Sequence, residues 1–315
     1  MELYSFNQIN IINRSNQYDV FIASTGYEIR ASFLAKQEIK ANRKIVLAFE
    51  DNKDHPNRML NDSIFEKYNF EFIKISGSDD DEILSLFKSI VLDHPYSELS
   101  ILVDYSSMTR IWYGAIIYYL SHLQIENKKI RIYFSYSVSE FTPPPQIESE
   151  TFNFYPINSF CHLSLPTKPT ALIAGLGYEK KRVFGLREYF DAEALFLFYT
   201  DKNSFTEYVL EKNKEVIESV KETHIFPYTL TDVTYTKMLL QDLCEELKNR
   251  FRIIIAPCGP KPFTLLSFII ASNIPNIDVW RISASDNDNL ISERKENGEI
   301  ITIELVYEGS TNNPS

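Results

Sequence analysis

The chain has 315 residues, 44% hydrophobic and 24% charged, enough for two domains or one large α/β domain with an ample core. A net charge of −11 argues against a general binder of duplex DNA, whose affinity comes from Lys and Arg on phosphates, but leaves room for a local basic pocket around a small anion. Three cysteines without metal-type spacing, no signal-peptide pattern and no apolar run of the ~18 residues a membrane span needs predict a soluble cytoplasmic protein with no disulfide framework.

Along the chain, short runs rich in β-branched and aromatic residues predict strands at 17–23, 44–50, 70–76, 99–105 and 129–138. Amphipathic stretches at 29–40, 57–68, 81–92 and 107–123 predict the helices between them. Such alternation implies βαβ units and a mainly parallel sheet, and near-continuous apolar strands imply helices on both faces. Residues 139–169 are rich in proline and polar groups and read as a linker, with a short strand at 151–155. The rhythm then resumes, with strands at 170–176, 194–200, 223–229, 251–257 and 278–284 and helices near 179–190, 205–221, 232–249 and 261–273. A last strand at 299–308 is expected antiparallel at a sheet edge. "SASDNDNLISERKENGE" (283–299) reads as a mobile polar excursion before it, and residues 309–315 read as a disordered tail.

The second half resembles the first. "FIASTGYEIRASFLAKQ" (21–37) and "LIAGLGYEKKRVFGLRE" (172–188) both run strand, small residues, Gly-Tyr-Glu, then a basic helix. Gly26 and Gly177 stand 151 residues apart, and the strand ends Asp104 and Pro257 stand 153 apart. Two landmarks sharing nearly one offset point to an internal repeat. The predicted architecture is therefore α/β: two tandem Rossmann-like βα repeats, 1–138 and 170–308, with mainly parallel sheets flanked by helices.

Open parallel sheets bind ligands beyond the carboxyl ends of their strands, near the point where strand order reverses. That directs attention to two loops in each half. The first is Ser24-Thr25-Gly26-Tyr27-Glu28 with Arg30 close behind. Glycine permits a sharp turn, tyrosine offers a face for a base, and Glu28 suits either a helix start or a catalytic role. The absence of GxGxxG argues against a dinucleotide, and no cofactor is expected. The second loop, Asp104-Tyr105-Ser106-Ser107-Met108-Thr109-Arg110, holds an acid, hydroxyls and a guanidinium. Ser106 or Ser107 would cap a helix beginning near Met108, yet the set exceeds capping needs and describes an anion or phosphate cradle. In the second half the matching groups are Gly175, Gly177, Tyr178 and Glu179 after one strand, and Pro257-Cys258-Gly259-Pro260-Lys261 after the other.

At these residues the chain resembles the CARF family, Rossmann-like sensors of cyclic oligoadenylates in CRISPR-linked immunity. The family fingerprint after the fourth strand is Asp-x-Thr/Ser-x-Gly-Thr-Lys/Arg. "DYSSMTR" follows it at Asp104, Ser106, Thr109 and Arg110 and departs from it at Ser107-Met108. Two such units in one chain are similar to the SAVED domain of bacterial cyclic-nucleotide antiphage systems. The resemblance covers 17–138 and 170–284, and "PCGPKPF" (257–263) departs from the motif. It implies one half-site lined by Ser24, Thr25, Ser106, Ser107, Thr109 and Arg110 and another lined by Gly175, Gly177, Gly259 and Lys261. Because CARF and SAVED domains usually carry an effector domain, and a further domain would need on the order of 100 residues, it also implies a separate effector partner.

Other groupings are weaker. The five histidines show no HxH or HExxH spacing, so no metal site is expected. "FEDNKDHPNR" (49–58) and "GSDDDE" (77–82) read as solvated acidic segments. The leading expectation is a regulatory subunit that binds a nucleotide-type ligand through Arg110 and Lys261, with Tyr27 and Tyr178 stacking; a homo-oligomer is compatible with it. The rivals are a nucleotide-processing hydrolase using Glu28 or Glu179 as general base, and an assembly subunit of a larger defence complex.

Overall fold

Short apolar strands and intervening helices alternate along the chain in a computed structural model that describes residues 1–12, 17–51, 53–143, 152–162, 167–178, 181–284 and 293–309. The contacts divide the chain into two units, one formed by 1–142 with 291–315 and the other by 143–290.

The first unit runs β1 (Glu2–Ile9), β2 (Gln17–Thr25), β3 (Lys40–Phe49), α1 (Pro56–Lys67), β4 (Glu71–Ile75), α2 (Asp81–Asp93), β5 (Glu98–Asp104), α3 (Arg110–His122) and β6 (Lys129–Ser139). The second runs β7 (Phe152–Pro156), β8 (Thr170–Gly175), α4 (Arg182–Tyr189), β9 (Ala192–Asp201), α5 (Thr206–Lys212), α6 (Lys214–Glu218), β10 (Ile225–Thr229), α7 (Val233–Leu247), β11 (Arg252–Pro257), α8 (Lys261–Asn273) and β12 (Ile277–Ala284). The chain then returns to the first unit as β13 (Glu296–Glu308).

The two sheets are ordered β1-β13-β6-β5-β2-β3-β4 and β10-β9-β8-β11-β12-β7. Each contains five parallel strands in one topological order: β4-β3-β2-β5-β6 in the first and β10-β9-β8-β11-β12 in the second. Each adds an antiparallel strand beside the fifth, β13 against β6 and β7 against β12. This is a mixed α/β, Rossmann-like architecture with helices flanking two mostly parallel sheets. The strand order reverses between β2 and β5 in one sheet and between β8 and β11 in the other.

The helices that follow the fourth parallel strands, α3 and α8, are buried on most of their surface. Their apolar sequences, "RIWYGAIIYYLSH" and "KPFTLLSFIIASN", explain this, because a helix apolar on nearly every side has to be covered all round. Trp112 fixes α3 to the strand ends: its ring stacks on Phe49 at 4.4 Å and its indole N–H donates to the Ser76 carbonyl at 3.2 Å.

Three elements differ from expectation. β1 is a half-exposed edge strand with too few apolar residues to announce itself. The helix expected at 29–40 is two short 3-10 turns, Ile29–Ser32 and Ala35–Gln37. Arg30 and Ser32 are both buried with separate partners, Ser137 and Asn61, whereas residues two apart on an α-helix do not face the same side. The last strand, placed by its sequence position at the edge of the second half, lies inside the first sheet between β1 and β6. Of the tail, only Gly309 is described; its amide donates to the Lys128 carbonyl at 2.9 Å. Ile301, Ile303 and Leu305 of β13 are buried. Ile303→Ala is therefore expected to cost about 2–5 kcal/mol in a denaturant titration, where an edge position would cost well under that.

Candidate ligand site at the strand switch point

Two loops meet where the order of the first sheet reverses, and each is held by its own side chains. In the loop after β5, the Asp104 carboxylate accepts the Ser106 amide at 3.0 Å and also its hydroxyl, and the Ser106 oxygen accepts the Ser137 amide at 2.8 Å. A carboxylate two residues before the amide it accepts makes a local turn, which ends the strand. Thr109, not Ser106 or Ser107, caps the helix: its oxygen accepts the Trp112 amide at 3.4 Å, and α3 starts at Arg110.

In the loop after β2, the Thr25 hydroxyl donates to Asp62 at 2.6 Å, and Asp62 also accepts Arg58 Nε at 2.8 Å. Asn61, buried in α1, donates to the carbonyls of Gly26 (2.9 Å) and Glu28 (2.8 Å) and accepts the Ser32 hydroxyl at 2.8 Å. Ser24, Thr25, Asp104, Ser106 and Arg30 are all buried, so none of them lines an open cleft. Gly26 is buried as well, against Phe49. Tyr27, Glu28, Ser107, Thr109 and Arg110 are the predicted residues left half-buried at the lip.

Glu28 joins the two loops. Its Oε2 accepts Arg30 Nε at 2.8 Å and the Ser107 hydroxyl at 3.3 Å. The Arg30 side chain is 0% exposed, against 16% for Glu28. Arg30 also donates to the Ser137 carbonyl at 2.9 Å and lies 5.0 Å over the Tyr136 ring. Burial alone would lower its pKa, but Glu28 and the Tyr136 phenol outweigh burial and raise the arginine above its ordinary value. Burial, and the nearby Tyr136, Tyr113 and Asp104, hold the Tyr105 phenol well above its usual value. Tyr27 is raised too, by burial and then by Glu28, with Arg294 opposing.

Three participants carry no clear sequence signal. His55 packs its ring 6.0 Å from Tyr27 and lies 3.5 Å from the Glu293 carboxylate. Arg294 accepts the Arg30 amide on its carbonyl at 3.1 Å, so the described end of the polar excursion belongs to the site. Asn61 has a counterpart 152 residues later: Asn213 donates to the Gly177 carbonyl at 2.9 Å. Both asparagines follow the second parallel strand of their unit and hold the glycine of a Gly-Tyr-Glu loop. The repeat of "GYE" pointed to a shared loop shape, but not to what fixes it.

The second switch point is packed differently. A Cβ on Gly175 would lie 2.7 Å from the Phe263 ring, and one on Gly259 would lie 2.6 Å from the Leu176 carbonyl oxygen. The Cys258 amide donates to the Gly175 carbonyl at 2.9 Å. Close backbone approach thus accounts for both glycines within the fold itself. Tyr178 sits edge-on to Phe205 (5.9 Å) and Tyr208 (5.7 Å), and Lys261 opens α8 half-buried. Glu179 lies outside the described residues. Among the described residues, no three His, Cys, Asp or Glu side chains are grouped to hold a metal ion, and no helix is long and apolar enough to cross a membrane.

No protein-family model matches the chain, and no curated protein matches it. Among solved structures it is similar to the cytoplasmic domain of a prokaryotic cation chloride cotransporter, with 7% identity over 87% of this chain and 98% of that one, at a TM-score of 0.22. It is also similar to a short chain dehydrogenase from Shigella flexneri, with 11% identity over 87% of this chain and 94% of that one, at a TM-score of 0.20. Likenesses at that level carry no inference about function.

Asn61→Ala would leave two loop carbonyls and the Ser32 hydroxyl without their donor or acceptor. It is expected to destabilise the first unit by about 1–3 kcal/mol in chemical denaturation, with Asn213→Ala costing less because the half-buried Gly177 can turn to water.

Proposed function

We propose that the chain is a sensor subunit that binds a nucleotide or another phosphorylated small molecule at the β2/β5 switch point, and that it acts with a separate effector protein. The observation that carries this reading is the convergence of two loops on the Glu28–Arg30–Ser107 contact, with Tyr27, Thr109 and Arg110 half-buried beside it. Arg110 opens a 13-residue helix, so a phosphate there would meet both a guanidinium and the helix's first amides. Tyr27 keeps its proton at neutral pH, since its pKa is raised, and so offers an uncharged face for a base. Lys261, Gly177 and Tyr178 would form a corresponding site in the second unit. The setting in bacterial antiphage defence rests on the likeness of "DYSSMTR" to the CARF fingerprint.

The hydrolase reading gains less support. Its general base would be Glu28, whose carboxylate is already held by Arg30 and Ser107.

Calorimetric titration with linear and cyclic oligonucleotides and mononucleotides, followed by chromatography of the mixtures, tests the proposal. Saturable binding without turnover is expected. Arg110→Ala should weaken it ten- to a hundredfold, about 1.5–3 kcal/mol for a charge-assisted contact, while leaving the melting temperature nearly unchanged. A lowered melting temperature with affinity intact would assign Arg110 to the fold alone.

A further inference from the structure

We infer that the first switch point contains a seat for one phosphoryl group, built from Arg30 and Ser107 and filled in the unliganded chain by its own Glu28 carboxylate. The inference rests on the nucleotide-binding reading above and adds where the ligand's charged group lands. Two donors from different loops, Arg30 Nε at 2.8 Å and the Ser107 hydroxyl at 3.3 Å, converge on the single oxygen Oε2 of Glu28. Guanidinium and hydroxyl donors arranged this way suit a phosphate as well as a carboxylate. Arg30 also has donor capacity left over. Its buried Nη2 has no hydrogen bond of good geometry, although the Tyr136 phenol also favours the cation. A phosphate has more acceptor oxygens than the carboxylate it would replace and can take Nε and Nη2 together.

The backbone permits the exchange. Asn61 holds the Glu28 carbonyl at 2.8 Å, and the Arg294 carbonyl holds the Arg30 amide at 3.1 Å. The Glu28 side chain, already 16% exposed, can therefore rotate into solvent while both loops stay in place. The exchange is also selective. Arg30 is 0% exposed, so Glu28 leaves at little cost only when another anion arrives. Neutral ligands cannot displace it. Glu28 thus competes with the ligand, and its departure is the local change that binding would produce.

The test uses the full chain with inorganic phosphate as probe and acetate as control, titrated by calorimetry at constant ionic strength. Wild type is expected to bind phosphate weakly. Glu28→Gln, which keeps the shape but removes the competing charge, should bind phosphate at least tenfold more tightly. Adding Ser107→Ala to that variant should erase most of the gain, and acetate should gain several-fold less than phosphate. Glu28→Asp keeps the counter-charge needed for folding but withdraws it by one methylene, so a smaller gain is expected from it. A folded Glu28→Gln protein with wild-type phosphate affinity would overturn the seat. If Glu28→Gln does not fold, Glu28→Asp decides, and no gain there overturns it equally. An equal gain for acetate would overturn the phosphoryl assignment. Nucleotide binding that depends on Arg110 but shows no gain in either variant would sink the seat and leave the sensor reading standing. A phosphate gain without any nucleotide binding would do the reverse.

Discussion

The Arg30 guanidinium is charged and sealed from water, so the protein has to supply everything that hydration would have supplied. Glu28 provides the counter-charge, the Ser137 carbonyl accepts one hydrogen bond, and the Tyr136 ring lies beneath the cation. Removing one partner from such a pair typically costs about 3–5 kcal/mol, because the other charge stays buried. Those partners come from the loop after β2 and from the end of β6, and Ser107 brings in the loop after β5 through Glu28. Three strand ends are therefore registered by one ion pair. The surrounding bonds, from Asn61 to the loop carbonyls and from Ser106 to the Ser137 amide, keep the pair's two ends from drifting apart.

The second unit uses the same strand order, a matching asparagine and, 152 residues after Arg30, a buried arginine of its own, Arg182. Gly175 and Gly259 also let backbone and the Phe263 ring come together there. The repeat has kept its frame, a glycine-holding asparagine and a buried arginine, while the packing at the strand ends differs.

Much of the frame was legible because strand and helix periodicity is local. The run at 251–257 became β11 (Arg252–Pro257), and the helix expected at 261–273 became α8 with the same bounds. Partnership is not local, which is why β13 was assigned to the wrong sheet: its apolar alternation says that it is a strand, not which strand lies beside it. The stretch 29–40 was misread because its pattern is amphipathic, whereas its buried arginine and serine need partners on different sides. At the switch point, residue type pointed to the loops that meet there but not to the direction of each group. A serine or aspartate that turns its own loop looks, in sequence, like one that meets a ligand. Asp104, Ser106 and Thr25 proved to be of the first kind, while Ser107 remains at the lip. His55, Asn61 and Arg294 reach the site only through tertiary folding.

The return of β13 to the first sheet has a consequence for how the protein is made. Between the end of β6 at Ser139 and the start of β13 at Glu296 the ribosome must add 157 residues, which include the whole second unit. At the usual elongation rate of about 5–20 residues per second, this leaves β6 with a bare hydrogen-bonding edge for roughly 8–30 seconds. The second unit has all its strands before the first can close. The nascent chain thus completes its later half first, and an unpaired, strongly apolar β6 is the surface that a holding chaperone would meet in the interval.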